Sequence, residues 1–123
     1  MSGSVPLIEA LTAFLGTVPD ASLLVVNSGD GDEVAMATKG SDEDPDFEVV
    51  TAMIPRLIVS ADQANRLSLG NTQYSVTWMG RRILLHMKIL PNVCVSMLLE
   101  ETANLGLIDE HVETLRKLLE VLG

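Results

Sequence analysis

Residues 73–99 read QYSVTWMGRRILLHMKILPNVCVSMLL. Tyr74, Val76 and Trp78 alternate with Ser75, Thr77 and Met79, the period of a half-buried strand. Gly80-Arg81 follows with glycine first, which suits a two-residue hairpin turn, so residues 82–89 return as a second strand. Leu90-Pro91-Asn92 turns the chain again, and residues 93–99 form a third strand. Strands joined this tightly are antiparallel, because a parallel neighbour needs a crossover of a dozen or more residues.

The rest of the chain arranges itself around this meander. Residues 22–27 contain Leu23, Leu24, Val25 and Val26, a strand buried on both faces. Gly29-Asp30-Gly31-Asp32 turns it into a return strand over 33–39. Upstream, Leu7, Leu11 and Phe14 fall at helical spacing over 6–15, with Ser4 as N-cap and Pro6 in the first turn. Pro55 starts or kinks a central helix reaching about Leu67, with Leu57, Ile58, Ala61 and Ala64 on one side, and Gly70-Asn71 stops it. Ile108, Val112, Leu115, Leu119 and Leu122 set one apolar stripe along a last helix capped by Asp109. The predicted order is α-β-β-α-β-β-β-α in one domain spanning 1–123: an α+β fold with a five-stranded antiparallel sheet covered by helices.

With 17 acidic against 8 basic side chains, the chain carries a net charge of −9, which repels phosphate backbones and anionic headgroups. Nucleic-acid and direct bilayer binding are therefore disfavoured. Eight carboxylates against Lys39 place seven of those net charges between residues 30 and 48, and residues 40–48 read as an acidic loop. Asp42, Asp44 and Asp46 copy the opening of a calcium loop. Phe47 then stands where the turn needs glycine and Met53 where a bidentate glutamate closes the shell, so no metal site is expected. The glycines at 29 and 31 lack the lysine and helix of a phosphate-cradling loop.

His86 and His111 belong to no zinc or catalytic spacing and read as ordinary histidines. Neither a catalytic residue nor a cofactor is expected. Cys94, the lone cysteine, excludes an internal disulfide, fits a reducing compartment and reads as a small core residue. Trp78 is either an interface anchor or part of the sheet packing. No apolar run approaches the roughly 20 residues of a membrane span. Met1 leads into neither a signal sequence nor the glycine that myristoylation needs, so any membrane contact is expected through another subunit. A composition 47% hydrophobic in so short a chain leaves apolar area over, which points to a protein partner.

Three stretches together carry a resemblance: residues 62–71 (DQANRLSLGN), Leu90-Pro91 before an apolar strand, and residues 103–108 (ANLGLI) before the last helix. Over residues 50–122 the chain resembles the roadblock family, in particular its late-endosomal MAP kinase scaffold within the Ragulator complex. The resemblance implies that the central helix lies on one face of the sheet and the terminal helices on the other. It also implies pairing with a second roadblock subunit through the central helix and third strand. Leu57, Ile58, Ala61, Ala64, Gln73, Ser75 and Thr77 are the expected interface residues. Asp42, Glu43, Asp44 and Asp46 are the expected electrostatic surface for a basic partner. The implied role is a non-catalytic scaffold in a Ragulator-like assembly, serving Rag-type GTPases and a MAP kinase pathway kinase. The implied place is the cytosolic face of late endosomes or lysosomes, reached through a separate lipidated subunit. The alternatives are a homodimeric regulator of a small GTPase and a dynein light chain that adapts cargo.

Overall fold

The computed structural model describes residues 5–40, 44–66, 74–103 and 108–122, the side chains of 61–66, 74, 108, 109 and 122 excepted. Eight elements follow in the expected order: α1 (Val5–Gly16), β1 (Ala21–Ser28), β2 (Glu33–Thr38), α2 (Pro45–Arg66), β3 (Tyr74–Met79), β4 (Arg82–Leu90), β5 (Val93–Glu100) and α3 (Ile108–Leu122). The strands form one antiparallel sheet in the order β2-β1-β5-β4-β3. The hairpin and the meander thus join through β1 and β5, which leaves β2 and β3 as the two edges.

Side-chain alternation along the central strands sorts the core into two layers. Leu24, Val26, Leu85, Met87, Val95, Met97 and Leu99 point to one face, where Leu7, Leu11, Phe14 and Leu15 of α1 and Val112, Leu115 and Leu119 of α3 cover them. Leu23, Val25, Leu84, Cys94 and Leu98 point to the other, beneath Phe47, Val50, Ile54 and Ile58 of α2. The terminal helices meet across Phe14 and His111, whose rings pack edge to face at 6.3 Å. Gly80 turns β3 into β4 at a φ of 73°, a conformation that glycine adopts without a Cβ clash.

The central helix begins ten residues before Pro55. Asp44 is its N-cap: the Asp46 N–H donates to Asp44 Oδ1 at 3.0 Å, and the Phe47 N–H donates to the Asp44 carbonyl at 3.1 Å. Pro45 then takes the first helical position, where a missing N–H costs nothing, and Asp46 and Glu48 complement the positive end of the helix dipole. The expected acidic loop over 40–48 is therefore partly the first turn of α2. Pro55 lies inside the helix on its exposed side, where water can satisfy the carbonyl freed one turn back. The last helix begins at Ile108, one residue before its expected cap, Asp109.

Candidate functional site

Starting α2 at Pro45 fixes which of its sides faces out. Phe47, Val50, Ile54 and Ile58 recur at helical spacing and are buried against the sheet, and Leu57 is half-buried beside them. The opposite stripe is Val49, Ala52, Arg56 and Val59, all exposed. Ile58 is only 6% exposed, so it has almost no area left for a partner, contrary to its expected place in an intersubunit seam. Val59, at 54%, is the apolar residue that faces outward at this level of the helix.

The β3 edge lies at the same end of the sheet order as β4. The Glu101 N–H donates to the Arg81 carbonyl, so β4 turns the main-chain groups of its odd-numbered residues toward β5 and those of Arg82, Leu84 and His86 toward β3. The antiparallel pattern then directs the backbone N–H and C=O of Val76 and Trp78 outward, away from the sheet. Ser75 and Thr77 sit on the α2 face of this strand and are half-buried. Trp78 stands on the opposite face, 67% exposed, which removes the alternative of packing within the sheet. An aromatic side chain with most of its area in water beside an unpaired strand edge is a prospective binding anchor. The side chains of Ala61 and Ala64, and all of Gln73, lie outside the described residues.

The acidic surface is organised by a residue that sequence reading passed over. Arg82, at the start of β4, reaches Asp44 Oδ2 at 2.6 Å and Asp46 Oδ2 at 3.0 Å through one guanidinium nitrogen, and Glu100 Oε1 at 3.5 Å through Nε. The Arg82 hydrogen bond, reinforced by the Asp46 N–H, holds the Asp44 carboxyl below the usual carboxylate range. Two of the four carboxylates expected to face a partner are thus engaged within the chain, clamping the start of α2 onto the sheet. Asp42 and Glu43 lie outside the described residues. The only sequence cue to this clamp was a pair of arginines at a hairpin turn opposite an acidic run, 36 residues away from Asp46.

A buried polar pair lies under α2. His86 Nδ1 and Ser96 Oγ are 2.8 Å apart on adjacent strands, in register. Burial pushes the His86 pKa below the ordinary histidine value, so the ring is held neutral. The pair is mutually hydrogen-bonded and joins two adjacent strands. Among the described residues no group of three or more His, Cys, Asp or Glu side chains is placed to hold a metal ion. No described helix is long and apolar enough to cross a membrane.

The family described as mitogen-activated protein kinase kinase 1 interacting matches residues 7–123. The chain belongs to that family. No curated protein matches it. Among solved structures, the gliding protein MglB of Thermus thermophilus superposes with a TM-score of 0.67 at 18% identity, covering 96% of this chain and 86% of that one. A roadblock/LC7 domain from Streptomyces avermitilis gives 0.67 at 17% identity, covering 94% and 93%. A structure of MglB with tetrameric arrangement gives 0.70 at 19% identity, covering 96% and 90%. The fold of this member of the kinase-kinase-interacting family is accordingly the roadblock type, with the expected helix placement on the two faces of the sheet.

Proposed function

We propose that the chain is a non-catalytic scaffold subunit that pairs with a second roadblock-domain subunit in a Ragulator-like complex. In this reading the pair supports Rag-type GTPase and TOR signalling and recruits a MAP kinase pathway kinase at the cytosolic face of late endosomes or lysosomes. A lipidated partner supplies the membrane contact. Membership of a family named for interaction with a kinase kinase supports the adaptor part of this reading. The observation that carries it is the open β3 edge, with Trp78 exposed on one face and the apolar stripe of Val49, Ala52 and Val59 on the helix covering the other.

Pairing satisfies the outward main-chain groups of Val76 and Trp78 by continuing the sheet into the sister subunit, and it takes the α2 stripe out of water. Such an interface is apolar at its centre and polar at its rim, where Arg56 is placed to read the charge of the partner. A second reading is a homodimeric regulator of a small GTPase, for which the tetrameric arrangement of MglB supports self-association of this fold and nothing more. The mass of the purified chain separates the two. A stable homodimer supports the regulator, whereas self-aggregation relieved by a co-expressed roadblock subunit supports the scaffold. GTP turnover by a candidate GTPase, with and without the chain, then tests for activation.

A further inference from the structure

The opposite edge of the sheet is also open, and it is built differently. The Lys39 N–H donates to the Ser22 carbonyl at 3.0 Å, and the register pairs Leu24 with Ala37, Val25 with Met36 and Val26 with Ala35. Antiparallel alternation therefore turns the main-chain groups of Ala37 and Ala35 toward β1 and those of Met36 away from the sheet. Outside β2 lies a groove of about 540 Å³, with Ile8 and Thr12 of α1 on one wall and Phe47, Glu48 and Thr51 of α2 on the other. Met36, 40% exposed, forms part of its floor. The two helices thus overhang the edge from both faces, in the places they would occupy above and below one more strand.

We propose that this groove takes an extended segment of a partner protein, added as a sixth strand beside β2, in which basic residues alternate with apolar ones. A strand places successive side chains on opposite faces, so one set meets the Ile8 wall and the other the Phe47 and Glu48 wall. The sign of the charge decides the occupant. Glu48 lines the groove, no basic side chain among the described residues does, and the flanking stretch from 30 to 48 carries seven net negative charges, of which Arg82 offsets one at Asp44 and Asp46. Its single cation, Lys39, is directed inward, with Nζ donating to the Val18 carbonyl at 2.6 Å. A second copy of the chain pairing β2 to β2 would set this acidic stretch against itself, so a basic segment of a different protein fits where self-pairing does not. The inference concerns β2 and stands apart from the pairing proposed through β3.

The test uses three synthetic peptides of about eight residues, titrated into the isotopically labelled full chain and followed by backbone amide shifts at about 50 mM salt. One alternates lysine with valine, one alternates glutamate with valine, and one is the lysine peptide with alternate peptide nitrogens methylated. The basic peptide is expected to shift the amides of Met36, Thr12 and Thr51 and to bind at least about tenfold more tightly than either of the others. Glu48→Lys should weaken the basic peptide by about threefold or more. Met36→Pro removes an outward N–H without breaking a β1–β2 hydrogen bond, and a folded M36P chain should lose most of the binding. Equal binding of acidic and basic peptides, undiminished binding of the methylated one, or shifts confined to Val76 and Trp78 would overturn the proposal.

Discussion

Replacing Asp44 separates two contributions that meet at one carboxylate. As N-cap it accepts the Asp46 N–H, and as an ion-pair partner it holds Arg82 at 2.6 Å. Loss of a cap costs about 1 kcal/mol. An ion pair whose partners keep about a fifth of their side-chain area in water contributes roughly 0.5 kcal/mol after screening. Asp44→Ala is therefore expected to destabilise the chain by about 1.5 kcal/mol, a fall in Tm of about 5 °C for a domain of this length. Asp44→Asn retains an acceptor of equal capping rank and loses the charge, so it should cost only about 0.5 kcal/mol. Urea denaturation of both variants, alone and combined with Arg82→Met, measures the two parts. The pH dependence supplies a further check, because the folded pKa of Asp44 is lowered. Its contribution is present above the ordinary carboxylate range and fades as pH falls through the folded value, a decline that Asp44→Asn should lack. Equal losses for alanine and asparagine would refute the capping assignment.

Three other outcomes follow from the same structure. His86 has a folded pKa below its unfolded value, so the unfolded chain binds the extra proton first; stability should be flat above about pH 6.5, fall as the pH drops below it, and become less pH-dependent in His86→Gln, as read from urea midpoints. Ile58→Ala should cost about 2 to 4 kcal/mol in the isolated chain because it opens a cavity under α2, while Val59→Ala one position later should stay within about 0.5 kcal/mol, both by thermal or urea unfolding. Trp78→Ala should leave the stability of the isolated chain nearly unchanged and weaken association with a roadblock partner by about 30-fold, measured by calorimetric titration.

The elements easiest to read in the sequence were those specified by local pattern. The alternation of Tyr74 to Met79, the glycine at 80 and the four-and-three spacing from Val112 to Leu119 each express one periodicity, and each element lies within a residue or so of its expected place. The start of α2 was harder. Asp44-Pro45-Asp46 is a cap followed by a first-turn proline, but the density of carboxylates reads equally as a solvated loop, and Pro55 reads either as a start or as a kink, of which the structure shows a proline inside the helix. With the start left open, the apparent seam fell on Ile58, because the outward direction of a helix is only fixed once its inward residues Phe47, Val50 and Ile54 are counted with it. The Arg82 clamp and the meeting of β1 with β5 depend on contacts between distant stretches, which no local period encodes. Trp78 was open for a related reason: alternation assigns a face of the sheet, while its exposure depends on how far α3 reaches over that face.

Co-expression of the chain with a candidate roadblock subunit, followed by light-scattering mass and affinity measurements on wild type and on Val59→Asp combined with Trp78→Ala, tests the scaffold reading most directly. The account predicts a one-to-one complex for wild type, and for the double variant a folded chain that no longer forms it. A wild-type chain that stays monomeric at high concentration beside the partner, or a double variant that pairs as tightly as wild type, would contradict it.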